Sequence, residues 1–153
     1  MLRRHHAALI NIHDAPFDPD FDRYFALERM GQLFVLVARY QDMPVGYAIW
    51  SMAPHVFHST LAVATNDTFW LEPEHREWTN GLQMFILAEE ELRALGIKLL
   101  YAYAQIDFEI THRGVAGKLL TRLGFKPMDQ LYIKDLRDER RRPPSTNGTN
   151  PRK

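Results

Sequence analysis

The sequence lacks cysteine, net charge and any long apolar run. Without cysteine the protein cannot form a disulfide, use a thiolate nucleophile or bind zinc through sulfur. Lysine and arginine together number 19, as do aspartate and glutamate, so overall charge does not favour nucleic acid or an anionic membrane as partner. No apolar stretch has the length of a membrane-spanning helix or of a signal peptide's core. We therefore expect a soluble, cytoplasmic protein.

The chain is long enough for one domain with a buried core, having 153 residues of which 46% are hydrophobic. Residues 137–153 are instead rich in arginine and proline and offer no apolar face. We expect a single domain over residues 1–136 and a disordered C-terminal tail over residues 137–153.

Apolar spacing predicts the order helix, helix, three strands, helix, strand, helix, strand. The predicted helices cover 2–12, 19–30, 82–95 and 112–123, and the predicted strands cover 33–40, 45–52, 61–71, 97–104 and 130–136. Residues 53–60 are predicted to form a loop because Pro54 opens a polar stretch. Short strand-to-strand links favour antiparallel pairing and strand–helix–strand units favour parallel pairing. The fold class is therefore α/β (α+β), with a mixed sheet covered by helices.

The segment Phe69–Ala88 reads as a strand, a short turn containing Arg76, and Gly81 at the start of a helix. The first backbone N–H groups of a helix have no partner within it, and the helix dipole adds partial positive charge there. The segment therefore predicts a site for a phosphate or pyrophosphate.

Two motifs resemble those of the GNAT superfamily of N-acetyltransferases, particularly its small phage-encoded members. The first is Arg76-Glu-Trp-Thr-Asn-Gly81, which stands between a strand and the best-defined helix. The second is Leu119-Leu-Thr-Arg-Leu-Gly-Phe125 at the end of the last predicted helix. The resemblance implies a mixed, mostly antiparallel sheet flanked by helices. Because this chain opens on a predicted helix, the first strand of the family is expected to be missing.

The resemblance also implies acetyl-CoA as co-substrate and no metal. The turn from Arg76 to Leu82 would bind the pyrophosphate through backbone N–H groups, and Gly81 would leave room for the phosphates. The strand before the turn would pair with the pantetheine arm through its backbone. The coenzyme-binding residues so implied are Trp70, Leu71, Glu72, Arg76, Glu77, Trp78, Thr79, Asn80, Gly81 and Leu82.

Three residues depart from the family pattern. Thr79 replaces the first glycine of the motif, Glu77 adds negative charge beside the expected pyrophosphate, and Leu120 stands where many relatives have a tyrosine acid. Each departure counts against efficient turnover, and together they keep open a role that does not depend on catalysis.

Acetyl transfer to an amine needs a base for the amine and an acid for the departing sulfur. The catalytic candidates are Asp67, in the middle of a predicted strand, and His112, at the start of a helix and able to titrate near neutral pH. Asn66 and Asp67 could equally mark a bulge, since both are disfavoured inside strands. Glu72 and Tyr132 remain further alternatives.

The sequence thus predicts an acetyl-CoA-dependent N-acetyltransferase that transfers its acetyl group directly to a primary amine, on a small molecule or a protein. The alternative is a GNAT-fold protein with little or no catalysis that binds and modulates a bacterial host protein, in the host cytoplasm if phage-encoded. His55 and His58 lack a third ligand nearby, so no metal site is predicted.

Overall fold

The computed structural model describes residues 1–8, 16–103 and 115–128, apart from the side chains of Trp78, Val115 and Ala116. The predicted strand 130–136, the tail, His112 and Tyr132 lie outside the described residues. The helices are α1 Leu2–Ala8, α2 Phe21–Arg29, α3 Trp78–Ala94 and α4 Val115–Arg122. The strands are β1 Leu33–Tyr40, β2 Met43–His55, β3 His58–Leu71 and β4 Leu99–Ala102.

The four strands form one sheet in the order β1-β2-β3-β4. β1 pairs with β2 and β2 with β3 in antiparallel fashion, whereas β3 and β4 are parallel. The parallel step follows from the connection through α3, since parallel neighbours need a crossover. The predicted mixed, mostly antiparallel sheet flanked by helices is confirmed.

The prediction of a loop over residues 53–60 is wrong. β2 and β3 continue as one long hairpin, with Pro54 opposite Ala62 and His55 opposite His58. Pro54 fits because the register shifts between Pro54 and His55, and an irregularity in the ladder is where a strand can hold a residue without an N–H. The turn itself consists of Val56 and Phe57.

The helix expected after Gly81 begins earlier, at Trp78. A short 3-10 turn, Pro73–His75, reverses the chain, and Glu77 follows in extended conformation. The N–H of Asn80 then donates to the carbonyl oxygen of Glu77 at 3.1 Å, which closes the first helical turn. Gly81 therefore lies inside α3 rather than at its mouth.

One face of the sheet is covered by α3 and carries the core. Trp50 is 1% exposed and meets Phe85 edge-on, with ring centroids 5.8 Å apart. Ala64, Ala88 and Leu92 are fully buried beside them. This face holds the largest apolar cluster of the described residues and fixes where α3 starts relative to β3.

The helix ends carry residues that commonly cap or end helices. Asp20 caps α2, because its carboxylate accepts a hydrogen bond of 2.9 Å from the N–H of Arg23. Gly31, Gly96 and Gly124 have φ of +68°, +88° and +85° just after α2, α3 and α4, the left-handed conformation that ends helices. Among the described residues no helix is both long and apolar enough to cross a membrane.

Candidate functional site

The candidate site lies where β3 and β4 part. β4 pairs with β3 as far as Asn66 opposite Ala102, while β3 continues along β2 to Leu71. The N–H of Glu72 donates to the carbonyl oxygen of Val45 on β2 at 2.8 Å. Backbone groups of alternate residues point to opposite sides of a strand, so those of Leu71 face away from β2. The described structure therefore leaves the end of β3 with one edge open.

This geometry refines the prediction that Trp70, Leu71 and Glu72 offer backbone groups to a ligand. Trp70 pairs with Tyr47 of β2, and the Glu72 N–H is already engaged by Val45. Leu71 faces the open edge, as does Phe69 by the same alternation. Phe69 was missed because the sequence does not show which strand edge is free.

Asp67 projects from a bulge in β3. Ile49 pairs with Thr68 and Trp50 with Asn66, which leaves Asp67 without a partner residue on β2. Asn66 is 5% exposed, and its side-chain amide donates to the carbonyl oxygens of Ile49 and Thr68, each at 3.1 Å. The buried amide thus holds the bulge, and the bulge turns the exposed Asp67 outward.

Asp67 lines an open groove of about 1120 Å³ between α2 and the sheet face opposite α3. Such a volume is sufficient for a small-molecule ligand, since drug-sized sites occupy about 300–1,000 Å³. The walls combine apolar side chains of β1 and β2 with polar groups of α2 and the loop before it. The charged lining residues are Asp18, Asp20, Arg23 and Asp67. Three carboxylates against one guanidinium favour a cationic ligand.

The start of α3 provides the second part of the site. Its first N–H groups have no intrahelical acceptor, and no acidic residue occupies its first turn. The side-chain amide of Asn80 donates to the carbonyl oxygen of His75 at 3.0 Å, which fixes the turn ahead of the helix. Glu77 and Thr79 are both exposed there, so a carboxylate and a methyl-bearing side chain share the surface expected to bind phosphate.

Protein atoms do not require a glycine at position 81, and the room that it would leave for phosphates stays a prediction. A Cβ at this position would lie 3.8 Å from Cζ of Phe69 and 3.9 Å from Cδ2 of Leu119. Both are ordinary van der Waals distances to side chains of the protein itself. A methyl group would fit between these side chains, and only a larger side chain would press against them.

Arg76 folds back on the strand that precedes it. Its Nε donates to the carbonyl oxygen of Leu71 at 2.7 Å, and its guanidinium lies 4.5 Å from the centre of the Trp70 ring. Phe69 stacks on Phe85 of α3 with centroids 4.8 Å apart, so the neighbouring Trp70 points to the opposite face of the sheet. The Arg76 charge is therefore on the side of the sheet away from α3.

Glu72 is bound by α1. Its carboxylate is buried, and the guanidinium of Arg4 lies 2.9 Å from Oε2 as an ion pair outside hydrogen-bond geometry. The amino group of Met1 is 3.6 Å from Oε1, and Arg4 also bonds Glu74 at 2.9 Å. A carboxylate held in this way is poorly placed to take a proton from an amine, so the alternative of Glu72 as base is not supported by the geometry.

His5 and Tyr47 form a hydrogen-bonded pair that sequence reasoning missed. His5 Nδ1 and Tyr47 Oη are 2.6 Å apart, and the His5 ring stacks on Trp70 with centroids 4.7 Å apart. Burial, then the charge of Arg76, lowers the pKa of His5, whereas burial raises the pKa of Tyr47 to about 12. A protonated hydroxyl and a neutral imidazole therefore share this hydrogen bond, in the direction that the His5 tautomer sets. The weak helical pattern of the first residues carried no signal for this pairing.

The predicted residues thus separate into groups. Asp67 lies in the groove, whereas Leu71 and Gly81 lie along the open edge and the start of α3. Leu120 is 8% exposed within the core cluster. His55 and His58 have ring centroids 5.1 Å apart, and among the described residues no three potential metal ligands come together.

No protein-family model matches the sequence. No curated protein matches it either. Solved structures do match the fold. A Trypanosoma brucei acetyltransferase superposes with a TM-score of 0.65 at 18% identity, covering 88% of this chain and 92% of that chain.

Two further matches are an aminoglycoside acetyltransferase from an uncultured soil metagenomic sample and a predicted acetyltransferase from Clostridium acetobutylicum solved with acetyl-CoA. The first has a TM-score of 0.65 at 14% identity and covers 78% of this chain and 76% of that chain. The second has a TM-score of 0.61 at 18% identity and covers 88% and 86%. The chain therefore has the fold of the GNAT-type acetyltransferases.

Proposed function

We propose that the protein is an acetyl-CoA-dependent N-acetyltransferase that acts on a primary amine. The observation that carries the proposal is that, among the described residues, β3 runs on to Leu71 beyond its last pairing with β4 at Asn66, ahead of the start of α3. An open strand edge can pair with the amide groups of a pantetheine arm, and a helix start can hold the pyrophosphate attached to it. The similar fold solved with acetyl-CoA supports this ligand.

In this proposal the coenzyme lies along the open edge, with the first turn of α3 at the pyrophosphate. The backbone partners are Phe69 and the N–H of Leu71, since the Leu71 carbonyl oxygen is already bonded by Arg76. The acceptor occupies the groove, and Asp67 binds its ammonium group and takes up one proton, directly or through water. The amine nitrogen then attacks the thioester carbonyl carbon. The C–N bond forms, the C–S bond breaks, and the sulfur leaves with the electron pair. The nitrogen gives up its second proton, which passes to the sulfur directly or through water, so that the products are the neutral amide and the coenzyme A thiol.

The groove supports a small cationic amine as acceptor. Its charged lining carries three carboxylates and one guanidinium, so a substrate with a second positive charge would gain additional attraction. One protein of similar fold is an aminoglycoside acetyltransferase. We therefore include polyamines and aminosugars as well as peptides in the set of acceptors to be tested.

Titration calorimetry with acetyl-CoA tests the first half of the proposal. We expect saturable binding of one coenzyme per chain, and absence of heat at millimolar coenzyme would contradict the proposal. Release of the coenzyme A thiol in the presence of a polyamine, an aminosugar or a peptide N-terminus tests the second half. Higher kcat/KM for the dicationic acceptors than for a monoamine is expected.

A second candidate is a protein of this fold that binds a host protein with little or no catalysis. It is favoured by the exposed Glu77 and Thr79 at the start of α3, which disfavour tight pyrophosphate binding. Capture of a stoichiometric partner by a protein that shows no heat with acetyl-CoA would support this candidate. Thiol release with any amine acceptor would count against it.

A further inference from the structure

Helix α1 is attached to the turn that follows β3 through two side chains. Arg4 reaches Glu72 and Glu74, each at 2.9 Å. His5 is hydrogen-bonded to Tyr47 and stacked on Trp70. The contacts of α1 therefore reach both ends of the segment Trp70–Glu74, which leads directly to Arg76.

Arg76 rests on the same indole that α1 covers. Its guanidinium lies 4.5 Å from the Trp70 ring centre, and its Nε bonds Leu71. Because Trp70 is on the sheet face opposite α3, the guanidinium lies on that face while it stays on Trp70. One hydrogen bond to the backbone and one ring contact thus hold the arginine of the motif there.

We propose that α1 is a latch that holds Arg76 on Trp70, and that acid opens it by protonating His5. Opening releases the Trp70–Glu74 segment and lets Arg76 move to a phosphate at the start of α3. The last step rests on the proposed function, whereas the latch itself does not.

The physical basis is the charge around His5. Protonation of His5 would make both ring nitrogens donors and would place a second cation beside Arg76 on the half-buried face of Trp70. The groups near the ring are Tyr47 from β2, Trp70 from β3, Arg76 after the 3-10 turn, and His6 on α1 itself. The nearby carboxylate of Glu72 is already paired with Arg4, so it offers little compensation for a charged imidazole.

Hydrogen exchange of the peptides covering 2–8 and 70–76 tests the latch, after correction for the intrinsic pH dependence of exchange. In the wild-type chain protection is expected to fall together in both peptides below the ordinary histidine pKa of about 6.5. In His5→Gln the hydrogen-exchange protection of both peptides should stay constant over the same pH range. His58→Gln, at the exposed hairpin end, is the matched control and should still show this fall in protection, called the step below.

Tyr47→Phe provides a second variant in which no charge is changed. Removing the hydroxyl takes away one of the two contacts that hold the His5 ring, so the protection of both peptides at neutral pH should be lower than in the wild type. A wild-type chain without a step, a step that persists in His5→Gln, or unchanged protection at neutral pH in Tyr47→Phe would each overturn the latch.

Coenzyme A binding at fixed neutral pH tests the last step with Arg4→Ala. Loss of the Arg4 charge would by itself weaken the binding of anionic coenzyme A. If the loss of Arg4 instead releases Arg76, coenzyme A should bind severalfold more tightly than to the wild-type chain. Arg29→Ala, which removes an arginine from the end of α2, is the control. Unchanged or weaker binding in Arg4→Ala overturns the role for Arg76. If no variant binds coenzyme A but the exchange step is present, the latch is supported and the proposed function fails.

Discussion

At the scale of single residues, the pair Asn66–Asp67 shows how a local conflict becomes a site. Two residues that disfavour strands stand in the middle of β3, where the sequence predicted either a bulge or a function. The structure contains the bulge, and Asn66 holds it through two hydrogen bonds to carbonyl oxygens. Asp67 is the residue that the bulge presents to the groove. Whether it acts on a substrate remains a prediction.

Asp67→Asn is expected to lower kcat by on the order of 10²-fold, the lower range for loss of a general base, while leaving coenzyme affinity unchanged. The amide keeps the size of the side chain but cannot take up the amine proton. Steady-state kinetics with calorimetry for acetyl-CoA separates the two effects. Asp42→Asn, in the β1–β2 turn, is the control, and equal kcat in both variants would contradict the role of Asp67.

Asn66→Leu is expected to reduce the free energy of unfolding by about 1–3 kcal/mol, because the carbonyl oxygens of Ile49 and Thr68 lose their donor in a buried site. Urea denaturation followed by tryptophan fluorescence measures the change. A loss well below this range would mean that backbone pairing alone holds the bulge.

At the scale of elements, and within the described residues, the sequence predicted the order of helices and strands better than their ends. β2 and β3 run further into the hairpin than expected, because cross-strand pairing outweighs the breaking tendency of Pro54. α3 starts at Trp78 rather than after Gly81, because the turn at Pro73–His75 sets the entry of the chain. Both differences come from neighbours that are distant in sequence or from the geometry of the preceding turn.

Gly81→Ala and Gly46→Ala form a matched pair for the packing around the open edge. A Cβ at Gly81 meets only ordinary contacts, so alanine should stabilise the protein by about 0.5–1 kcal/mol through helix propensity. A Cβ at Gly46 would be 2.7 Å from Cδ1 of Leu71 and 2.9 Å from the carbonyl oxygen of Trp70. Overpacking there should destabilise by about 1–3 kcal/mol.

Thermal and urea denaturation of the two variants measure the difference. Destabilisation by Gly81→Ala would show that the helix start is tighter than the distances indicate. Calorimetry with acetyl-CoA on the same protein then tests whether a methyl group at Gly81 affects the proposed pyrophosphate site.

At the scale of the whole molecule, α1 joins the beginning of the described chain to the turn between β3 and α3. The ring of His5 in that helix contacts Trp70 and Tyr47 on the face opposite α3. The helix therefore joins this face of the sheet to the turn that precedes α3.

The free energy of unfolding of the wild-type chain is expected to fall as the pH drops below about 6.5, the ordinary pKa of histidine. In His5→Gln this fall should be smaller, because the contribution of His5 is absent. Burial and the charge of Arg76 lower the pKa of His5 in the folded chain. As the pH falls, the unfolded chain therefore binds a proton at His5 before the folded chain does. The stability that neutral His5 contributes is lost as the pH falls toward the folded pKa. Urea denaturation at a series of pH values measures the difference between the two proteins. Parallel stability curves would contradict the prediction.

The sequence by itself determined the mixed sheet, the order of its described elements and the location of a helix start behind Arg76. These features depend on residue spacing and secondary-structure propensity, which are set by residues close together in the sequence. The open edge at Phe69 and Leu71, the direction of Asp67, the neutral His5–Tyr47 pair and the folded-back Arg76 were decided only by the tertiary structure. Each of these depends on contacts between residues far apart in the chain, and a local pattern carries no information about which of them meet.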